Sequence, residues 1–289
     1  MAIKTAIQWC DSSINPTKGC DGCEILDVCY AHKGTKRFGG KNPGFAKDFL
    51  VVELAPGRMA EAARWPELTG VDRPNKPWLN GMPRAVFVGD MSDVMSRNVP
   101  FEYLRDEIIA NATSDLGRRH IWMLLTKRPR RLASFARWLR ARQVRWPDNI
   151  WVGTSITNQR TAVRLGDLLD VGGRTTTRFV SLEPQMEKVE LGHRLRHLDW
   201  LIQGGMSGVA SQPFDLAWAQ ELVRDCEQRE VPFFLKQLGL HVIRCGRRLH
   251  LGDRHGGDWN EWPEELRVRE MPAWFDSVAK IGKNASALR

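Results

Sequence analysis

Residues 120–126, His-Ile-Trp-Met-Leu-Leu-Thr, form the stretch that decides the fold prediction. The run is almost continuously apolar, and its length is that of a strand rather than of a helix. Strands that are apolar at nearly every position are typical of parallel sheets, because helices cover both faces of such a sheet. The stretch therefore predicts an α/β fold that is built on a buried parallel sheet.

Short β-rich runs recur on both sides of this stretch, and most of them are followed by a helical pattern. Seven further strands are predicted, at residues 6–10, 49–53, 85–90, 150–155, 178–183, 199–203 and 232–236. Eight strands, most with a helix behind them, are the count of a (β/α)8 TIM-type barrel. The connection over 185–198 is too short and broken for a helix, so we expect an irregular barrel there.

The chain of 289 residues is long enough to bury a full-sized core, and no linker-like segment interrupts the alternation. We therefore predict one barrel domain over residues 1–239. Residues 240–289 are expected to form a C-terminal extension that packs on the barrel and ends in a frayed tail from Ser277.

The composition is that of a globular protein, with 42% hydrophobic and 27% charged residues. No apolar run approaches the roughly 18 residues that a membrane span needs, and the first residues are too polar for a signal peptide. We expect a cytoplasmic protein without a membrane partner. The net charge of +9 favours a polyanionic partner such as nucleic acid.

Three of the six cysteines, Cys20, Cys23 and Cys29, fall within ten residues. An odd number of thiols in a reducing compartment argues against disulfides, whereas clustered thiolates are more often metal or iron–sulfur ligands. Three ligands leave one coordination position open for a substrate or cofactor. Structural zinc and plain thiols remain alternatives, with Cys10 the plausible fourth thiol and His32 the histidine near enough to contribute.

Polar residues follow most of the predicted strands, at the ends where a barrel carries its chemistry. Charged groups at an apolar strand end are costly unless they are paired or used. Asp90, Glu183 and Lys236 are the candidate catalytic groups. For Glu183, a site role and a salt bridge to Lys127 or Lys236 are equally supported. Asp90 and Asp93 are also suited to begin the helix that follows them.

A run of cations without any acid covers residues 127–145. Its members are Lys127, Arg128, Arg130, Arg131, Arg137, Arg140, Arg142 and Arg145. Such a run at the mouth of a barrel would bind phosphates beside the site. The alternative is the solvated outer face of a helix, which is the better interpretation for any one arginine.

Taken together, these motifs resemble a known family. The order Asn15-Pro16-x-x-Gly19-Cys20 with Cys29-Tyr30-Ala31 resembles radical S-adenosylmethionine enzymes, especially the branch around spore photoproduct lyase. Nearly the whole chain is similar to a phage-associated, largely uncharacterised radical-SAM-like family. The motifs that carry the second similarity are Val86–Asp93, Leu125–Pro129, Asn149–Ser155, Ser181–Pro184, Asp199-Trp200, Gly204–Gly208, Phe233–Gln237 and Glu261–Glu270.

The resemblance implies a four-iron four-sulfur cluster on Cys20, Cys23 and Cys29, with S-adenosylmethionine chelating the fourth iron. One-electron reduction would then yield a 5′-deoxyadenosyl radical that abstracts hydrogen from a substrate. In this chain, two residues separate the first pair of cysteines and five the second. The family's usual gaps are three and two, and Met206 stands where it has a glutamate.

The resemblance also implies where the cofactor binds. Thr126, Lys127 and Ser155 lie at the strand ends that hold the cofactor's carboxylate and ribose in such enzymes. Gly204-Gly205 would let a ligand approach backbone amides closely, although a tight turn explains the same pair. The implied partners are an electron donor and a nucleic acid or nucleotide substrate.

Three hypotheses for the function follow. The first is a radical S-adenosylmethionine enzyme that modifies or repairs a nucleic acid or nucleotide. The second is a non-catalytic nucleic-acid-binding barrel that zinc or a cluster stabilises. The third keeps the radical chemistry but has a peptide or small molecule as its substrate, which leaves the arginine run as ordinary surface.

Overall fold

The structure is a computed structural model and describes residues 2–208 and 211–273. The strands are β1 (Ser12–Ile14), β2 (Thr17–Lys18), β3 (Glu53–Leu54), β4 (Arg84–Val88), β5 (His120–Thr126), β6 (Ile150–Ser155), β7 (Arg178–Leu182), β8 (Trp200–Gly204), β9 (Phe214–Asp215), β10 (Phe233–Gln237), β11 (Val242–Arg244) and β12 (Arg247–Leu249). Seven of them form one parallel sheet in the order β1-β4-β5-β6-β7-β8-β10. The predicted α/β fold with a parallel sheet is therefore confirmed.

Helices lie between most neighbouring strands of this sheet. They are α1 (Tyr30–Phe38), α2 (Arg58–Ala63), α3 (Phe101–Leu104), α4 (Ala110–Thr113), α5 (Pro129–Arg140), α6 (Arg164–Leu169) and α7 (Leu216–Gln228). A π-helical turn over Arg105–Ile109 joins α3 to α4. The connection after β7 contains only a 3₁₀ helix at Gly192–His197, in line with the broken pattern of that segment.

The predicted (β/α)8 barrel is wrong. The sheet is curled but open, because β1 and β10 are its two edges and do not pair with each other. The predicted strand at 49–53 does not join it, and only β3 at the end of that run pairs, with β2 in a separate sheet. Leu50 and Val51 are 50% and 56% exposed, so this apolar run does not belong to the core.

The first strand is also shifted from its predicted position at residues 6–10. It lies at β1, where Ser12, Ser13 and Ile14 pair with the middle of β4. The residues just before it belong to the concave face of the sheet instead. Trp9 is 2% exposed there and packs against Phe87, with 4.7 Å between the ring centroids.

The two faces of the sheet carry two separate cores, which follow the alternation of side chains along a strand. In β4, Val86 and Val88 face the helices, whereas Ala85 and Phe87 face the concave side. The concave core is aromatic. Its centre is Trp200, whose ring lies 5.6–6.3 Å from the rings of Trp9, Trp151, Phe179 and Phe234. The concave side is thus filled below the carboxyl ends of the strands.

The segment after β10 runs back along that edge strand. The Glu270 amide donates to the Phe233 carbonyl at 2.9 Å, and the Leu235 amide donates to the Val268 carbonyl at the same distance. Arg269 lies over the rings of Trp78, Trp259 and Trp262, at 4.6–5.1 Å. These contacts cover the β10 edge of the sheet. The predicted tail from Ser277 lies outside the described residues.

Across residues 2–208 and 211–273, no helix has the length and apolar character that crossing a membrane requires.

His120, at the start of β5, makes stability depend on pH. Its side chain is fully buried and its Nε2 lies 3.2 Å from the Ala63 carbonyl oxygen. Burial lowers the pKa of His120 from its ordinary 6.5 to about 4. As the pH falls below 6.5, the unfolded chain therefore takes up this proton before the folded one does. Between pH 7.5 and pH 5, His120 is expected to cost about 2 kcal/mol of unfolding free energy.

Urea unfolding at both pH values measures this loss. Between pH 7.5 and pH 5, the free energy of unfolding of His120→Gln should fall by about 2 kcal/mol less than that of the parent protein. The exposed His250 provides the control, and His250→Gln should behave like the parent. An unchanged pH dependence in His120→Gln would show that the buried histidine is not responsible.

Candidate functional site

A cavity of about 460 Å³ opens at the carboxyl ends of the strands, above the aromatic concave core. Ten of the eleven residues predicted as catalytic, cofactor-binding or metal-ligating line it, and they are Cys20, Cys23, Cys29, Asp90, Thr126, Lys127, Ser155, Glu183, Gly205 and Lys236. Gly204 does not line the cavity. The strand-end rule for barrels thus led to this cavity in an open sheet as well, because every parallel sheet brings its carboxyl ends to one side.

The cysteine loop, residues 20–29, forms one wall of this cavity. Gly19 immediately precedes the loop and has a φ of +73°, which favours glycine. A Cβ on Gly19 would also lie 2.5 Å from the Val51 carbonyl oxygen. The Cys20 amide then donates to the Phe49 carbonyl at 2.6 Å. The run at 49–53 therefore supports the cysteine loop rather than the sheet.

The three cysteines of the loop are free thiols. Cys20 is buried, while Cys23 and Cys29 are half-buried. Burial raises the pKa of Cys20 and of Cys23, so both thiols keep their protons at neutral pH unless a metal displaces them. Within the described residues, no three His, Cys, Asp or Glu side chains are already placed as a metal site.

Arg128 ties the loop to the carboxyl end of β5. Its guanidinium forms ion pairs with Asp21 and with Asp93, the second at 2.8 Å. It also donates to the Gly22 carbonyl oxygen at 2.6 Å, and its Nη1 lies 3.8 Å from the Cys20 sulfur. The sequence placed Arg128 in a phosphate-binding run. In the structure, this arginine is a half-buried link between the loop and the sheet.

Asp93 receives the other bonds of this link. Its carboxylate accepts from the Thr126 hydroxyl at 2.7 Å, from the Lys127 amide at 3.1 Å and from the Met95 amide at 2.9 Å. The Thr126 hydroxyl therefore donates its hydrogen bond to Asp93 and not to a ligand. Lys127 contributes only its backbone amide to the bonds with Asp93, so its side chain can contact a ligand in the cavity that it lines.

A second ion pair holds the same loop on the other side of Cys23. Glu24 meets Arg164 through two hydrogen bonds of 2.8 Å and accepts a third, at 3.0 Å, from the Thr157 hydroxyl. Burial raises the pKa of Glu24, but these bonds outweigh it and lower the pKa to about 2. Arg164 also donates to the Ser155 carbonyl at 2.9 Å. Sequence reasoning missed this pair, because its partners lie 140 positions apart.

Glu183 and Lys236 form an ion pair at the opposite wall. Their side chains are only 17% and 19% exposed. The pair spans β8, which lies between β7 and β10. A Cβ on Gly204 would lie 3.4 Å from the Glu183 Cγ, which is an ordinary contact, so the pair does not require glycine at this position. Of the two partners predicted for Glu183, the structure selects Lys236, and the pair faces the cavity.

Asp90 is held on the side of β1. Its carboxylate accepts from Asn15 Nδ2 at 2.5 Å and from the Ser13 hydroxyl at 3.1 Å, and its carbonyl oxygen accepts from the Tyr30 hydroxyl. Two neutral donors fix the orientation of this carboxylate beside the cavity. The Asn15 of the cysteine-loop motif thus has a structural task that sequence reasoning did not assign.

The two candidate fourth ligands lie elsewhere. Cys10 is fully buried in the concave aromatic core. The Nδ1 of His32 lies 3.1 Å from the Leu26 carbonyl oxygen, and its ring packs on Phe49. Neither residue lines the cavity.

The arginine run divides into structural and exposed members. Arg131 lies over the Phe101 ring at 4.6 Å, and Arg142 lies over the Trp138 ring at 3.9 Å. Arg145 pairs with Asp148 at 3.1 Å. The exposed members without an ion pair in the described part of the chain are Arg130, Arg137, Arg140 and Arg142. The predicted phosphate-binding face is thus smaller than its sequence indicates.

Comparison with known proteins gives one family. A family model described as a protein of unknown function, DUF5131, matches residues 4–278. No curated protein and no solved structure matches the chain. The matched span contains the cysteine loop and all the residues that line the cavity.

The Arg128 link predicts a stability effect that a surface arginine would not give. In Arg128→Ala, Asp21 and Asp93 lose their common cation, and we expect the free energy of unfolding to fall by about 2–4 kcal/mol. Arg130→Ala removes an exposed arginine two positions away and should change it by less than about 0.5 kcal/mol. Urea unfolding of both variants measures the difference. Equal effects would contradict the link.

Proposed function

Because the chain belongs to the DUF5131 family, for which no function is established, we propose one from its own site: a radical S-adenosylmethionine enzyme that acts on a nucleic acid or nucleotide. One observation carries the proposal. Three free thiols, a lysine and an acid–lysine pair, which the sequence singled out separately, line a single cavity.

The donor set of the cysteine loop fits an iron–sulfur cluster. Cys20, Cys23 and Cys29 are soft ligands of the kind that hold such clusters, and three of them leave one iron open. Neither Cys10 nor His32 lines the cavity, which argues against either of them closing a zinc site there. When bound with S-adenosylmethionine, the cluster supplies a 5′-deoxyadenosyl radical.

The loop must adjust its side chains to bind the metal. Residues 24–28 are turns rather than helix or strand, so the segment between Cys23 and Cys29 can adjust without breaking a helix or a strand. Arg128 lies beside Cys20, where its positive charge offsets the negative charge of a thiolate. Metal binding then releases the thiol protons that burial retains.

The rest of the cavity suits a small charged cofactor and a substrate. About 460 Å³ falls within the usual range for small-molecule sites. The side chain of Lys127 offers a cation for a carboxylate, whereas the amide and the carbonyl oxygen of Gly205 are already bonded to Gln237. Trp9 and Phe87 form an apolar part of the lining, which keeps water away from a reactive intermediate.

The substrate would bind at the wall of the cavity opposite the cysteine loop. Glu183 and Lys236 hold each other in place at that wall, and Asp90 is fixed by Asn15 and Ser13. Oriented charges of this kind bind polar groups and move protons. The net charge of +9 supports a nucleic acid or nucleotide as the substrate. The proposal also requires an electron donor, which is a second protein partner.

Anaerobic reconstitution tests the cluster. The parent protein should bind about four irons and four sulfides per chain. It should also form 5′-deoxyadenosine after reduction with S-adenosylmethionine. Cys20→Ala, Cys23→Ala and Cys29→Ala should each lose most of the iron and all of the product. Cys245→Ala, which removes an exposed thiol outside the cavity, should keep both. A colourless parent protein with one zinc per chain would support the non-catalytic alternative.

The acid–lysine pair has a separate test. Glu183→Gln and Lys236→Met remove one partner each and should lower the oligonucleotide-stimulated part of 5′-deoxyadenosine formation by about 100-fold or more. Their iron content should stay at the parent level, because neither residue belongs to the cysteine loop. Lys188→Met breaks an exposed pair with Glu221 and serves as the control. If all three variants retain parent turnover, the pair is only structural.

A further inference from the structure

A cationic surface begins at the edge of the cavity and is distinct from the arginine run. Helix α1 and the loop after it, residues 30–47, carry five cations and no acid. These cations are Lys33, Lys36, Arg37, Lys41 and Lys47, and all of them are exposed. None forms an ion pair with an acid in residues 2–208 and 211–273. Asp27 and Asp48 flank the segment but lie outside it.

The helix arranges these charges in a line that leads away from the cavity. Tyr30, Lys33 and Arg37 are spaced by three and four residues, so they lie on one face of α1. Tyr30 lines the cavity, and the opposite face of the helix is buried through Ala31 and Thr35. The exposed stripe therefore runs from the cavity entrance outward over about 10 Å.

Exposed aromatic rings accompany the charges. Among the described residues, the Phe, Tyr and Trp side chains that count as exposed are Tyr30, at 61%, and Phe38, at 39%. Both lie on α1, at its two ends. Arg37 lies over the Phe38 ring at 5.0 Å, and Phe45 packs against the same ring at 5.4 Å. An exposed ring in a cationic stripe is the arrangement on which unpaired bases stack.

The arginine helix lacks this combination. The exposed Arg130, Arg137 and Arg140 have no exposed aromatic ring near them in sequence, since Trp138 is half-buried under Arg142. The helix α5 begins near the cavity, and its other end lies about 16 Å further along its axis. Of the two cationic surfaces, the one on α1 therefore has the charges, the rings and the continuity with the cavity.

We propose that the exposed face of α1 and its following loop bind a single-stranded nucleic acid, and that Tyr30 stacks on a base at the cavity entrance. A single strand is favoured over a duplex because a base must leave its stack to enter a cavity of this kind. The inference deepens the proposed function by naming the form of its substrate. It rests on that function only for the chemistry, because strand binding needs neither cluster nor cofactor.

Fluorescence anisotropy with a labelled oligonucleotide of about 20 nucleotides tests this binding on the full chain, purified without cluster. The triple variant Lys33→Gln, Lys36→Gln, Arg37→Gln removes three charges from α1. The matched control Arg130→Gln, Arg137→Gln, Arg140→Gln removes three charges from α5. The α1 variant should raise Kd at least about tenfold and reduce the slope of log Kd against log salt by about 2, whereas the control should change Kd less than about threefold.

The stacking residue is tested in the same assay. Tyr30→Leu should raise Kd about fivefold or more, and Tyr30→Phe should bind like the parent, because it keeps the ring. The parent should bind the labelled strand, as DNA or RNA, more tightly than the same sequence annealed to its complement. Circular dichroism checks that every variant is folded.

Three results would overturn the inference. They are no binding of single strands at about 10 μM protein in low salt, equal losses in the α1 and α5 variants, or tighter binding of the duplex. None of these results depends on iron content or on 5′-deoxyadenosine formation, so the radical chemistry is tested separately. A protein that binds strands but no cluster would, conversely, keep this inference and lose the proposed chemistry.

Discussion

Two acid–arginine pairs fix the geometry of the whole site. Asp21 with Arg128 and Glu24 with Arg164 hold the cysteine loop on both sides of Cys23. Arg128 follows the end of β5 and Arg164 begins α6, so two separate elements attach the loop to the rest of the molecule. A half-buried pair of this kind is weak evidence for stability, but breaking it leaves a charge without compensation. The arrangement therefore defines where the thiols lie.

The open sheet and the site are consequences of each other. A closed barrel would need β1 and β10 to be joined, directly or through a further strand. The predicted strand at 49–53 supports the cysteine loop instead, through the Cys20–Phe49 hydrogen bond. The concave face is filled with aromatic rings around Trp200, which leaves only the upper end free. Glu183 and Lys236 pair across that end. Fold and cavity thus depend on the same few contacts.

Sequence reasoning succeeded where burial dictates the residue type. The predicted strand at 120–126 coincides with β5, and 150–155 coincides with β6, because strands covered on both faces are continuously apolar. The run at 49–53 is similarly apolar, but Leu50 and Val51 are exposed, so its composition led to a wrong prediction of a sheet strand. Whether the sheet closes into a barrel could not be predicted from the sequence, because closure depends on whether β1 pairs with β10. The roles of Arg128 and Arg164 were also hidden, because their partners in the cysteine loop are more than 100 positions away.

The central claim is that the cysteine loop holds a cluster with one iron open to the cavity. Crystals grown anaerobically and measured at the iron absorption edge test it most directly. The account predicts anomalous density in the cavity, within bonding distance of the sulfurs of Cys20, Cys23 and Cys29, with no fourth protein ligand. Iron absent from that position, or a metal closed off by a fourth side chain, would contradict it.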